Sequence, residues 1–212
     1  VSLSLVRIVE ASWRNIRAAA EVVRGGGLVV YPTDTVYGLG CDPFNVDAVQ
    51  RVIRVKGRSE KPMPILCSDL ESVGHVAEVS ERGRLVGRRF WPGPLTLVLK
   101  KKTGLPSVVT FGLPSVGVRI PEEDVALQLI RRCGGVLVGT SANRTGRPPP
   151  LTAKQAFNQL GRDVDLTLNG GRVKLGLPST IIDLTREEPQ VLRHGSLDPT
   201  LVINSLSLDT EA

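Results

Sequence analysis

Four segments of the chain concentrate side chains that could bind or transfer polar groups. In "YPTDTVYGLG" (31–40), two threonines, an aspartate, two tyrosines and two glycines follow directly on the apolar run Leu28-Val29-Val30. Hydroxyls on a glycine-hinged loop at the end of a strand lie where α/β proteins build ligand sites. "KGRSEKP" (56–62) puts Lys56, Arg58 and Lys61 within one turn. Such a group can grip phosphate oxygens, or simply end a helix favourably against its dipole. "GTSANRTG" (139–146) offers hydroxyls and an amide after an apolar strand, which suits a polar ligand or an ordinary turn. "PSTIID" (178–183) carries Ser179 at a strand entry, with Ile181 and Ile182 as core residues. Two further segments, "SVGVRIP" and "QVLRHG", place Arg119 and Arg193 among apolar strand residues. A guanidinium there is costly unless it meets an anion or a carboxylate, so these two are the strongest pointers to a site. The "KKK" run at 100–102 reads as a solvated strand end.

Several chemistries lack their residues. There is no GxxxxGK[ST], no GxGxxG after a strand, and "GTSAN" is not GxSxG. The three cysteines are far apart, and His75 and His194 have no neighbours at ligand spacing. A zinc site, a protein-held metal and a disulfide framework are therefore not expected, and a reducing compartment fits. No apolar run reaches the ~18 residues of a membrane span, and the first residues lack the basic start and apolar centre of a leader. The expectation is a cytoplasmic protein with no membrane partner. A net charge of +6 suits anionic ligands such as phosphates or RNA, or merely a basic surface. Aromatic residues make up only 4%, which disfavours stacking platforms for single strands.

The elements that must position these residues alternate along the chain. Strands are expected at "SLVRIV", "LVVY", "PILC", "LTLVLKK", "VGVRIP", "GVLVGTSAN", "LTL", "STIIDLT" and "QVLRH". Helices are expected from Ser12 to Arg24, from an Asp47 cap to Lys56, after Asp69, after Ser80 as far as "FWPGP", over 123–132, from Thr152 to Leu160, and after Ser196. The fold class is α/β, a twisted mixed parallel/antiparallel sheet flanked by helices, because the last strands follow one another too closely for helical crossovers. One domain spans 1–212, with its core at about 8–203 and a frayed tail at about 204–212.

Taken in order and spacing, "YPTDTVYGLGCD", "KGRSEKPMPIL", "FWPGPLTLVL", "VGVRIP", "TSANRTGRPPP", "STIIDLT" and "VLRHG" resemble the YrdC-like family of L-threonylcarbamoyladenylate synthases, from about Ile16 to Gly195. The resemblance implies a basic concave pocket and the single-domain form of the family. It implies an enzyme, a nucleotidyltransferase, that makes threonylcarbamoyl-AMP and pyrophosphate from L-threonine, bicarbonate (or CO2) and ATP. The product serves the threonylcarbamoyladenosine modification next to the tRNA anticodon.

By resemblance, Thr35, Arg119, Ser141 and Ser179 hold L-threonine, with Arg119 meeting its carboxylate and Thr33 and Tyr37 shaping the same wall. Arg58, Lys61, Ser115, Asn143 and Arg193 hold ATP. Lys56 and Arg58 are the catalytic charges. Mg2+ is expected to arrive with ATP. Transfer RNA and a downstream threonylcarbamoyl-transferase complex are the implied macromolecular partners. Two departures stand out. Ser59 replaces a family proline in a turn one residue shorter, and "TGRPPPL" replaces "SGxPSPT". Neither arginine, Arg58 or Arg119, is expected to serve core packing. Two other classes remain open: a module binding double-stranded RNA, and a carbamoyl-transfer module of the hydrogenase-maturation type.

Overall fold

The computed structural model describes residues 7–57 and 61–208. In chain order the elements are β1 (Arg7–Glu10), α1 (Trp13–Arg24), β2 (Val29–Tyr31), β3 (Gly38–Gly40), α2 (Val46–Lys56), β4 (Ile65–Cys67), α3 (Leu70–Val76), β5 (Ala77–Glu78) and α4 (Glu81–Phe90). There follow β6 (Leu95–Lys101), α5 (Ser107–Thr110), β7 (Ser115–Arg119), α6 (Asp124–Arg132), β8 (Val136–Val138), β9 (Thr140–Ser141), α7 (Ala153–Leu160), β10 (Leu166–Asn169), β11 (Thr180–Asp183), β12 (Gln190–Arg193) and α8 (Pro199–Leu208).

Helix starts follow from short polar side chains that accept from first-turn amides. Ser12, Asp69, Ser80 and Thr152 do this for α1, α3, α4 and α7, as the sequence predicts. Two starts differ. Asn45, not Asp47, caps α2 by accepting from Ala48 N, which leaves Asp47 in the first turn, where its charge suits the helix dipole. The last helix begins at Pro199, with Asp198 accepting from Thr200 N. Ser196 instead donates its hydroxyl to Leu177 O.

The α/β class with mixed pairing holds, and the strands divide between two sheets. One runs β1-β10-β2-β3-β9, and the other runs β12-β11-β6-β7-β4-β8 with β5 added against β6. The strands at the end of the chain separate accordingly. β10 inserts in parallel between β1 and β2, while β11 lies parallel to β6 and antiparallel to β12.

Leu28–Tyr31 is wholly buried, and its alternate side chains serve two cores. Val29 and Tyr31 pack with Ile16 and Ala20 of α1 and Leu129 and Ile130 of α6. Leu28 and Val30 join the larger core beneath the second sheet. No helix among the described residues is long and apolar enough to cross a membrane.

Between β8 and β9 the chain passes from one sheet to the other within a single residue. β8 pairs with β4 in the second sheet, and β9, one residue later, pairs with β3 in the first. Gly139 makes the crossing, and a Cβ there would lie 2.3 Å from Leu66 Cγ, so the backbone passes where only glycine fits. Just beyond this crossing the ends of β3 and β9 face those of β4, β6, β7, β11 and β12 across a cavity.

Candidate active site

The cavity has a volume of about 380 Å³. The first sheet supplies one wall through Thr33, Thr35, Gly38, Thr140 and Ser141, and the second supplies the other through Leu66, Thr96, Arg119, Ser179 and Arg193. Lys56, Lys61 and Asn143 close one side. Eight residues singled out from sequence (Thr35, Lys56, Lys61, Arg119, Ser141, Asn143, Ser179 and Arg193) therefore line one cavity.

One does not join them. Ser115 lies at the far end of β7 from Arg119, opposite Lys100 and outside the cavity wall. Four strand steps separate the two, roughly 13 Å. Arg58 lies outside the described residues.

Arg119 is the buried centre of the site. It is 4% exposed, and its Nε donates to Gly93 O at 2.9 Å and its Nη1 to Thr35 Oγ1 at 2.9 Å. Its Nη2 donates to Asp34 Oδ1, which also accepts from Glu122 N at 3.2 Å. Burial pulls the Arg119 pKa below its ordinary value, and Asp34 opposes that shift.

The carboxylate that a strand arginine requires is thus supplied by the protein itself. Its burial against Asp34 and Gly93 corrects the expectation that Arg119 takes no part in the packed interior. A guanidinium carries five N–H groups and three are committed here, so two remain for a ligand.

Asp34 is the residue that sequence reasoning missed. The signal was present, because a buried strand arginine demands a carboxylate and one sits in the first hydroxyl loop. The role of "FWPGP" was also missed: beyond stopping α4, it presents the Gly93 carbonyl to Arg119.

The hydroxyls of the first loop form a chain. Thr33 Oγ1 donates to Val36 O at 2.7 Å, accepts from Thr35 N and Val36 N, and lies 3.0 Å from Thr35 Oγ1. Tyr37 does not shape this wall. Its hydroxyl donates to Gly171 O at 2.7 Å and accepts from Gly170 N, outside the cavity lining.

Lys56 ends α2 and is 4% exposed. Its Nζ donates to Ser141 O and, at 2.9 Å, to Asn143 O, so it ties the helix end to the "TSAN" loop. Asn143 Nδ2 donates to Arg144 O and Arg147 O, while its Oδ1 is buried with no partner among the described residues.

On the opposite wall, Ser179 Oγ lies 2.8 Å from Thr96 Oγ1 and accepts from Arg193 Nη2 at 3.0 Å; Ser179 O accepts from Arg193 Nε at 2.9 Å. Burial and the neighbouring Arg119 both draw Arg193 below its ordinary pKa. Gly195 lets this turn close, because a Cβ there would lie 2.3 Å from Ser179 C. Among the described residues, no group of three or more His, Cys, Asp or Glu side chains could hold a metal ion.

A family model described as "Telomere recombination", covering Sua5, YciO and YrdC proteins, matches residues 21–195. A threonylcarbamoyl-AMP synthase of Pyrococcus abyssi is 40% identical over 187 residues, which are 87% of this chain and 55% of that protein. The chain therefore spans about half the length of this relative. A threonylcarbamoyl-AMP synthase of Nitrosococcus oceani is 39% identical over 81% of this chain and 94% of its own. The crystal structure of P. abyssi Sua5 complexed with L-threonine superposes with a TM-score of 0.88 at 37% identity, over 94% of this chain and 58% of that one. With the family model matching most of its length and the fold shared with a solved relative, the chain belongs to the Sua5–YciO–YrdC family.

Proposed function

We propose that this protein is a threonylcarbamoyl-AMP synthase, joining L-threonine, bicarbonate (or CO2 derived from it) and ATP into threonylcarbamoyl-AMP with release of pyrophosphate. The observation that carries this reading is a single cavity whose hydroxyl wall faces four cationic side chains, Lys56, Lys61, Arg119 and Arg193. In this reading it is the basic concave pocket of the family. The threonine amine attacks the carbon of CO2 to give a carbamate. A carbamate oxygen then attacks the α-phosphorus, and pyrophosphate leaves. No covalent enzyme intermediate is needed, so catalysis rests on positioning and on preorganised positive charge.

In this scheme Thr35, Arg119, Ser141 and Ser179 hold L-threonine, with the two uncommitted Arg119 N–H groups available to its carboxylate. Arg58, Lys61, Asn143 and Arg193 hold ATP. The unpartnered Asn143 Oδ1 suits a ligand N–H. Ser115 could join only where the nucleotide extends beyond the cavity wall. Lys56 and Arg58 supply charge near the transferring phosphoryl group. Mg2+ belongs with the nucleotide phosphates. We further read residues 8–203 as one domain working in the cytoplasm, handing its product to a transferase that acts on tRNA.

Incubation with ATP, L-threonine and labelled bicarbonate tests the proposal. Pyrophosphate release that requires both threonine and bicarbonate, with label in a threonylcarbamoyl nucleotide, is expected. Serine should turn over less well, because loss of a packed methyl costs about 1 kcal/mol or more. Nucleotide hydrolysis indifferent to the amino acid would overturn it.

A further inference from the structure

A notch of about 470 Å³ lies on the other side of the loop that follows β9, lined by Arg51, Arg54, Val55, Arg144, Arg162 and Asp163. It shares a partition with the cavity already described. Asn143 lines the cavity and Arg144 the notch; Lys56 lines the cavity and Val55 the notch. Two hydrogen bonds tie the partition together. Lys56 Nζ donates to Asn143 O at 2.9 Å, and Arg144 Nη1 donates to Val55 O at 3.2 Å.

Two of the four arginines are fixed in place. Arg144 also donates through Nε to Gln159 O at 3.1 Å and through Nη2 to Asp163 Oδ2 at 2.6 Å. It thereby covers carbonyls in the last turns of α2 and α7, which would otherwise turn the negative ends of two helices toward the notch. Arg51 grips Asp165 with both terminal nitrogens, Nη1 to Oδ2 at 2.7 Å and Nη2 to Oδ1 at 2.9 Å, and Nη2 also reaches Asp163 O at 3.3 Å. A guanidinium has five N–H groups. Three are committed in each of these arginines, and two remain.

The other two arginines are not tied down. Arg54 lies one turn after Arg51 on α2, and Arg162 follows the end of α7. Both are exposed, and among the described residues neither guanidinium has a hydrogen-bond or ion-pair partner. Asp163 in the lining and Asp165 behind Arg51 offset two of the four guanidiniums, so among the described residues two positive charges are left over. Helix ends favour cations. That does not explain why guanidiniums from three segments, α2, the loop after β9 and the residues after α7, meet around one notch. Guanidiniums converging in this way match phosphate oxygens, which they hold by paired N–H groups. The described lining has no aromatic side chain on which a base could stack, so the match is to a compact anion.

We propose that this notch is a second anion site, for a compact phosphate of the pyrophosphate class. Arg51 and Arg144 form its fixed floor, and Arg54 and Arg162 close on the anion. The site stands apart from the cavity and from the reaction proposed for it.

Calorimetric titration of the whole chain with inorganic pyrophosphate in metal-free buffer tests this. One bound pyrophosphate should depend on Arg54 and Arg162. Arg54→Gln and Arg162→Gln should each weaken that site about tenfold, and the double variant about 100-fold, the scale of charge-assisted contacts. Arg193→Ala, on the far wall of the cavity, should leave it intact. The double variant should keep the wild-type urea midpoint and the wild-type turnover of ATP with threonine, which separates loss of this site from failure of the proposed reaction. A pyrophosphate isotherm unchanged in the double variant would overturn the inference and leave the arginines as charges at two helix ends. Binding of a short RNA duplex that needs both arginines, with pyrophosphate binding indifferent to them, would overturn it in favour of contacts along a nucleic-acid backbone.

Discussion

Arg119 and Asp34 form an ion pair from which water is almost excluded, with side-chain exposures of 5% and 2%. Its partners are 85 residues apart, on β7 and on the hydroxyl loop between β2 and β3. The pair joins the two sheets across the back of the cavity. Removing one member of a buried pair leaves an uncompensated charge and costs about 3–5 kcal/mol. Asp34→Ala should therefore lower stability by about that much in urea denaturation, although Asp34 does not line the cavity. Arg119→Ala should do the same, and the double variant Asp34→Leu/Arg119→Met should lose clearly less than the sum. Additive losses would mean that the two side chains are not coupled.

The crossing at Gly139 makes a second prediction. Gly139→Ala forces a methyl group against Leu66, which is 3% exposed and has little room to move. Overpacking of this kind costs about 1–3 kcal/mol. It should also displace Thr140 and Ser141, and so weaken L-threonine binding beyond the loss of stability. Leu66→Ala in the same chain should recover part of both. If the double variant is no better than Gly139→Ala alone, the steric account is wrong.

Much of this arrangement was legible in the sequence because strand ends are easy to find and polar clusters at strand ends are unusual. Asn143 and Ser179 stood out in that way, Lys56 in a basic turn after a helix and Arg193 as an arginine among apolar strand residues, and the four meet in the cavity. What could not be read was pairing at long range. Asp34 looks like one more polar loop residue until β7 is laid beside that loop. β3 is Gly-Leu-Gly, which carries almost no strand signal, yet it pairs with both β2 and β9. The division into two sheets has the same origin, since local pattern says that β10 and β11 are strands but not that they belong to different sheets. Ser115 shows the converse. It shares a short segment with Arg119, yet the two lie at opposite ends of β7.

Arg193 should separate the two substrates. It is held over Ser179 by two hydrogen bonds and lines the cavity wall opposite Lys56. Arg193→Ala should weaken a non-hydrolysable ATP analogue by about 10- to 100-fold, the range for one charge-assisted contact. Its effect on L-threonine should be smaller, arising only through Ser179. Calorimetric titration with each ligand distinguishes these. A larger loss for threonine than for the nucleotide would exchange the sub-sites assigned to the two walls.

Stability should fall at alkaline pH for a reason separate from catalysis. Burial pushes the thiols of Cys41 and Cys133 up to about 12 from an ordinary value near 9, and pushes Cys67 up as well. The folded protein keeps these protons where the unfolded chain loses them. The stabilisation is fully present below pH ~9 and is lost as pH rises from there toward 12, by at most about 1.4 kcal/mol per pH unit for each thiol. Urea midpoints measured between pH 7 and 11 should therefore be level at first and then decline. Replacing Cys41 and Cys67 with alanine should flatten that decline while lowering stability at pH 7 through lost packing. Because Cys41 and Cys67 are buried, a thiol reagent at pH 8 should label these two slowly in the native protein, and all three cysteines once urea unfolds it. Rapid native labelling of Cys41, or an alkaline decline unchanged in the double variant, would show that these thiols do not titrate as their burial requires.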